Sequence, residues 1–524
     1  MNKPKGIFRL NQFLQITMLR FQFLLFLFLF TANTFAQQQP NIVLIYTDDL
    51  GYGDLSCYGA TKIKTPHIDK LAAQGLRFTN GFATSATCTP SRFSLLTGKY
   101  AWRKSGTNIA PGNAGLIIPT ETPTLPAMLQ KAGYKTGAVG KWHLGLGPDG
   151  GPNWNGTIKP GPLEIGFDYC FLIPATADRV PTVFMENRHI INLDPKDPIE
   201  VDYKKKVGNE PTGEENPELL KMKLSEGHAQ TIVNGISRIG YMSGGKKALW
   251  KDEELAAHIV TQSVKFIAQN KNNPFFLYLA TNDIHVPRAP NQKFVGKSGL
   301  GPRGDVILQL DWTVGEVVRA LDSLKLTDNT LIIFSSDNGP VLDDGYADFA
   351  NEMLNGHTPA AHLRGGKYSA FDAGTKVPFI AYWPKTIKPA VSSAAISQVD
   401  LYASLAALTK QSLAVSEAPD SFNMLDVLLG KSAKSRPYIV QHAVNGTLSL
   451  IKNNWKYIEP GKGPEVYQVT NIESGNSANG LLYNLKQDPS EREDLLTQKS
   501  KKALKLAKEL SSIKGNQSTR LLSK

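Results

Sequence analysis

Asn41-Ile42-Val43-Leu44-Ile45-Tyr46-Thr47-Asp48-Asp49 is an unbroken apolar run that ends in two adjacent carboxylates. An apolar run without polar alternation predicts a strand covered on both faces, the condition of a parallel sheet sandwiched by helices. Two neighbouring acids at the end of such a strand repel each other, and a cation between them is the expected remedy. Solvated turn acids are the alternative. The same alternation continues outward. A helix is predicted over Pro66–Gln74, stopped by Gly75, then an extended segment over 76–82. A helix over 124–132 leads through Gly133 to a strand over 134–139 that ends in Gly140-Lys141-Trp142-His143. Helix 252–270 precedes strand 274–280 and Thr281-Asn282-Asp283-Ile284-His285; helix 305–324 precedes strand 330–335 and Ser336-Asp337-Asn338-Gly339. Arg364-Gly365-Gly366-Lys367 stands before strand 377–382 and helix 401–408. Strands alternating with helices predict an α/β fold with a mainly parallel sheet, and the polar groups at the carboxyl ends of its strands mark the site.

Residues 145–244 are rich in Gly, Pro and charge with weak periodicity, and read as an insertion of loops and short strands near the mouth of the site. The pattern changes again near 435. Short strands at 437–443, 448–452, 455–459 and 481–485 and a helix over 500–512 predict a smaller α+β part with an antiparallel sheet. The expected division is 1–36, a signal peptide; 37–430, the catalytic domain; and 431–524, a C-terminal subdomain. In the first segment Lys3, Lys5, Arg9 and Arg20 precede an apolar run from Phe21 to Phe30, and Ala36 precedes Gln37 as a cleavage point. That run is short for a membrane span, and no cysteine follows the cleavage point, so no stable membrane anchor is expected. The chain is expected to be exported, to the periplasm or beyond.

The 524 residues carry a formal charge of +12, of which the signal segment holds four positives and no acid, leaving +8. A basic exported protein suits a polyanionic partner. No basic run with interleaved aromatics is present, so nucleic acid is not expected. The three cysteines, Cys57, Cys88 and Cys170, are an odd number, which excludes a complete disulfide framework. Cys88 opens Cys88-Thr89-Pro90-Ser91-Arg92-Phe93, with proline where a first helical turn accepts it. A helix N-terminus stabilises negative charge, and Arg92 adds a fixed positive one. Cys88 is therefore a candidate nucleophile, with a packed apolar thiol as the alternative. Asp48, Asp49, Asp337 and Asn338 supply hard oxygen ligands with no competing thiolate or histidine cluster, so Ca2+, with Mg2+ second, is favoured over zinc.

The stretch from Cys88 to Gly98 resembles the first signature of type I sulfatases, in which Cys-x-Pro-x-Arg marks a cysteine oxidised to formylglycine. The stretch from Gly133 to His143 resembles the second signature. The paired aspartates and Ser336-Asp337-Asn338-Gly339 match in type and order. Lys99 departs from the arginine that many members carry after Leu-Thr-Gly. The resemblance implies an alkaline-phosphatase-like fold and hydrolysis of a sulfate ester.

It also implies roles for individual residues. Cys88, as a formylglycine hydrate on the metal, attacks sulfur. His285 protonates the leaving alcohol, and His143 takes the proton of the second hydroxyl as sulfate departs. Lys141 and Lys367 neutralise sulfate oxygens, and Arg92 holds the hydrate. Cys88 thereby joins Asp48, Asp49, Asp337 and Asn338 as a metal ligand. Thr176, Asp178, Arg179, Arg288, His362 and Arg364 are candidates for the sugar subsite. By likeness to bacterial polysaccharide sulfatases, the expected substrate is a sulfated galactose or N-acetylgalactosamine of a glycan. A formylglycine-generating maturation enzyme is the second expected partner. The alternatives are a phosphonate or phosphodiester hydrolase of the same superfamily, or a non-catalytic binder of sulfated glycan if Cys88 stays unmodified. The oligomeric state is not read from the sequence.

Overall fold

A computed structural model describes residues 39–520. The signal segment expected at 1–36 lies outside the described residues. A ten-stranded sheet runs in the order Ala390–Ser392, Leu76–Phe78, Phe379–Tyr382, Thr330–Ser336, Asn41–Thr47, Phe275–Ala280, Lys135–Lys141, Tyr169–Ile173, Met185–Glu186, His189–Ile190. The five strands from Thr330–Ser336 to Tyr169–Ile173 are mutually parallel. Every residue of Asn41–Thr47 is buried, as an apolar run without alternation requires. Phe379–Tyr382 runs antiparallel to both of its neighbours, Thr330–Ser336 and Leu76–Phe78. Periodicity reports burial and not direction, so this reversal was invisible in the pattern.

Two apolar clusters flank the sheet. Leu44, Trp142, Phe167 and Leu172 belong to one, and Val43, Ile45, Leu277 and Ile307 to the other. Helices Pro66–Gln74, Leu255–Gln269 and Gly301–Ser323 cover the second face, with Ile68, Ile259 and Val314 turned inward. Register aligns the strand ends: Thr47 lies opposite Ser336, Tyr46 opposite Ala280, and Ala280 opposite Gly140. Asp48, Asp337, Thr281 and Lys141 therefore meet at one edge of the sheet. Gly140 is required there, because φ is 107° and a Cβ would sit 1.9 Å from the Ala280 carbonyl oxygen.

The C-terminal sheet is antiparallel, in the order Ile439–His442, Leu448–Lys452, Trp455–Ile458, Leu481–Asn484. Asn453 and Asn454, both with positive φ, make the two-residue turn between its second and third strands. Helix Ser500–Gly515 follows. The described residues from Pro40 onward form one compact unit that contains both sheets. The C-terminal sheet touches the Cys88 loop directly, since the His442 carbonyl accepts from Ala86 N at 2.8 Å and Ser85 Oγ at 3.0 Å. No helix among the described residues is long and apolar enough to cross a membrane.

Candidate active site

Cys88 is the first residue of helix Cys88–Thr97, all ten residues of which are buried, and Gly98 closes it in the left-handed conformation. The Cys88 thiol is 2% exposed. Burial raises its pKa, with Lys141 opposing. A bare thiol here is therefore held protonated despite the helix N-terminus. Its Sγ lies 3.2 Å from Nδ1 of His143. The other His143 nitrogen, Nε2, is 2.8 Å from the Ala110 carbonyl, which can only accept. Nε2 therefore carries the proton, and Nδ1 presents a lone pair to position 88. Burial, then Lys141 and Arg179, hold the His143 pKa well below its usual value, which keeps the ring neutral.

Seven residues, from three strand ends, one helix and one loop, gather beside it. Asp337 takes Arg92 Nε at 3.0 Å and Nη2 at 2.7 Å. The remaining Arg92 nitrogen, Nη1, reaches the Lys141 carbonyl and the Tyr278 hydroxyl, both at 3.3 Å. Lys141 Nζ donates to Asp48 and lies 4.0 Å from Asp337. Lys367 Nζ is 2.9 Å from Asp49 Oδ2. Asn338 Nδ2 donates to Asp49 Oδ1 at 2.7 Å. Burial and then the Asp337 charge push the Asp48 carboxyl well up, with Lys141 opposing. Asp49 and His143 both adopt positive φ, 59° and 55°, a conformation tolerated where function fixes the backbone.

The donor set fits a hard cation. Among the described residues, Asp48 Oδ1 and Asn338 Oδ1 are buried oxygens without a hydrogen-bond partner. Such orphaned acceptors are costly unless something positive meets them. Asp48, Asp49 and His285 place ligand atoms within 4.8 Å of one another. The oxygen-rich character of the cluster matches Ca2+ or Mg2+ chemistry.

His285 follows strand Phe275–Ala280, and its Nδ1 lies 2.7 Å from the Val286 carbonyl, so Nε2 faces the acids, 3.8 Å from Asp49 Oδ2. Burial, then Lys367 and Lys141, hold its pKa well below the usual value. All catalytic candidates, Cys88, Arg92, Lys141, His143, His285 and Lys367, thus lie in one contiguous buried cluster with the metal candidates. Arg92 is set one step back from its expected contact, because its guanidinium is turned onto Asp337.

The sugar-side candidates divide. Thr176, Asp178 and Arg179 form a cluster in which Arg179 Nη1 contacts Thr176 Oγ1 at 2.7 Å and both Asp178 oxygens at 2.9 Å. The Arg179 charge bears on His143, and the Asp178 charge on His285, the two candidate histidines. Arg288, His362 and Arg364 are elsewhere. Arg288 is a buried strut bound to Asp348 at 2.9 Å and to the carbonyls of Ile284, Val341 and Leu342. His362 is exposed, edge-on to Tyr52. Arg364 is occupied by Glu473 at 3.0 and 2.5 Å and the Glu491 carbonyl at 2.7 Å, and lies over the Phe371 ring. Arg288 and Arg364 already hold carboxylate and carbonyl partners, and His362 is turned to solvent, so the structure does not gather these three with Thr176, Asp178 and Arg179.

Two residues that no motif or period singled out stand at the site. His228, from the 145–244 insertion, donates to or accepts from Asp178 Oδ2 across 3.0 Å. Asp344 accepts from Lys367 at 2.8 Å and from the Tyr368 hydroxyl at 2.9 Å. Both lie in irregular segments, and only the tertiary fold brings them in.

Residues 40–411 match the family profile described as Sulfatase. An N-acetylgalactosamine-6-O-sulfatase of Bacteroides thetaiotaomicron is 59% identical over 477 residues, covering 91% of this chain and 93% of its own. Human arylsulfatase A is 31% identical over 481 residues, covering 89% of this chain and 85% of its own. A solved chain from the metabolism of multiple glycosaminoglycans by Bacteroides thetaiotaomicron superposes with a TM-score of 0.91 at 59% identity, over 91% of this chain and 100% of that one. A Pseudoalteromonas sp. sulfatase at 24% identity shares the fold, with a TM-score of 0.68 over 94% of this chain and 93% of its own.

Proposed function

We propose that this chain, which belongs to the sulfatase family, removes the 6-O-sulfate from N-acetylgalactosamine units of a sulfated glycan. Family membership makes it a sulfuric ester hydrolase. The finer reading is carried by one observation, the high identity to an N-acetylgalactosamine-6-O-sulfatase sustained over nearly the whole of both chains.

We further infer that Cys88 is oxidised to formylglycine by a maturation enzyme, and that Asp48, Asp49, Asp337 and Asn338 hold Ca2+ beside it. Together these groups would supply an oxygen nucleophile of lowered pKa and a charge sink for the sulfate. The protein's own side chains do the rest. His143 Nδ1, with its lone pair toward position 88, accepts a proton there. His285 Nε2 delivers a proton to the departing sugar oxygen, and the negative charge of a bound sulfate opposes the influences that otherwise keep this ring neutral. Lys141 and Lys367 offset the charge that builds on sulfate. Arg92 orients Asp337 through two hydrogen bonds. Asp178, with Arg179 and His228, offers acceptors and donors to the sugar ring. Export through the N-terminal segment would bring the enzyme to its glycan.

The test is turnover on a matched panel: N-acetylgalactosamine 6-sulfate, the 4-sulfate, and phosphate monoesters and diesters of similar shape. Sulfate release is expected to be fastest from the 6-sulfate. Faster cleavage of the 4-sulfate overturns the positional reading, and faster cleavage of a phosphodiester overturns the assignment of the reaction's substrate class.

A further inference from the structure

The Lys367 ammonium stands between two carboxylates. Asp49 Oδ2 is 2.9 Å away on the side of the cation ligands, and Asp344 Oδ2 is 2.8 Å away on the other. The side chains of Lys367 and Asp49 are 2% and 0% exposed, whereas that of Asp344 is 14% exposed. Asp344 thus marks the open side of the site. Its second oxygen accepts from the Tyr368 hydroxyl at 2.9 Å. Its loop is clasped to the insertion: Ser225 N donates to the Gly345 carbonyl at 3.2 Å, Ala347 N donates to the Lys223 carbonyl at 2.9 Å, and the His228 ring packs 4.7 Å from that of Tyr346. Gly345 has φ of 100°, and a Cβ there would sit 2.0 Å from His228 Nδ1. The carboxylate is therefore fixed from two directions.

The charges explain why a fourth acid belongs there. Asp48, Asp49, Asp337 and Asp344 face three fixed cations, Arg92, Lys141 and Lys367. A divalent ion and a singly charged sulfate ester would bring that set to neutrality. Without Asp344 the loaded site would carry one excess positive charge. The geometry adds a second reason. Asp49 cannot serve a cation fully while it is the sole counter-charge of a buried ammonium.

We propose that Asp344 is a positioning residue: it holds the Lys367 ammonium from the open side of the site, so that Lys367 stays aimed at the sulfate ester while Asp49 turns to the cation. This rests on the role assigned to Lys367 above. Tyr368 orients Asp344 in turn.

The full chain, stripped of divalent ions, is titrated with calcium chloride by calorimetry. Asp344→Asn is expected to weaken calcium binding about tenfold or more, because Lys367 then falls back on Asp49 and competes with the ion. In a Lys367→Met background the same change is expected to have less than about a threefold effect, since the competing ammonium is gone. Tyr368→Phe is expected to weaken binding in the same direction by less, and serves as the probe if Asp344→Asn does not fold. Unchanged affinity in Asp344→Asn, or equal losses with and without Lys367, overturns the inference; where Asp344→Asn does not fold, unchanged affinity in Tyr368→Phe does so. Failure of the unsubstituted chain to bind calcium removes the cation reading and this inference with it. Sulfate release separates the two levels. Full turnover by Lys367→Met would remove the role of Lys367 itself, whereas lost turnover with no coupling to Asp344 would remove only the positioning.

Discussion

Asp48 and Asp54 are buried aspartates six residues apart on one loop, and their surroundings drive them in opposite directions. Asp54 has both oxygens occupied. Arg303 grips it at 2.7 Å from each of two nitrogens, His357 Nε2 lies at 2.8 Å, and Gly51 N donates at 2.7 Å. Burial alone would raise its pKa, but Arg303 and His357 more than offset that and hold it down at about 2. Asp48 has one oxygen on Lys141 and the other without a partner, and burial with the Asp337 charge pushes its pKa well up. The first carboxylate is closed on itself and serves the fold. The second is left short of positive charge, which is the condition of a group waiting for one. Burial is common to both; the completeness of the hydrogen bonding separates scaffold from site.

The contrast can be broken by exchanging each acid for its amide. Asp48→Asn is expected to lower sulfate release on the order of a thousandfold or more, with calcium binding lost in parallel, while the ion-free protein unfolds in denaturant no more easily than the parent. Retained turnover after this change would take Asp48 out of the site. Asp54→Asn is expected to do the reverse, costing about 3–5 kcal/mol of unfolding free energy by leaving the Arg303 charge unpaired. Calcium affinity of the folded fraction should hold. A small stability loss would mean that Arg303 relaxes to another partner. The smallest effect is on acid stability. The Asp54 pKa is lower in the folded chain than the ordinary value near 3.9, so its contribution is complete above about pH 4. That contribution, about 2.5 kcal/mol, is lost as pH falls from about 4 through 2. Unfolding followed from pH 5 to 2 should show this slope in the parent and lack it in Asp54→Asn.

Much of this was legible before any coordinates. The apolar runs predicted the buried strands, and glycines such as Gly75 and Gly133 marked where helices stop. The polar groups after Thr47, Ala280 and Ser336 do converge, because parallel strands in register bring their carboxyl ends to one edge. What the pattern missed has a common cause. The direction of Phe379–Tyr382 depends on how a long loop returns, and burial is the same either way. Asp344 and His228 owe their positions to contacts between two irregular segments, which leave no period in the sequence. Arg288 and Arg364 carry a related lesson: an arginine near a signature looks available until its partners, here Asp348 and Glu473, are seen.

The tie between the His442 carbonyl and the Ser85–Ala86 loop has a consequence in time. In the finished chain Cys88 opens a helix with no exposed residue, and the strand that pins its loop is made some 350 residues later. If position 88 is oxidised as proposed, the maturation enzyme is expected to meet it on an emerging chain, before the C-terminal sheet exists to pin its loop. The order of synthesis then becomes part of the active site: a chain that folds ahead of its modification is complete in shape and permanently without its nucleophile.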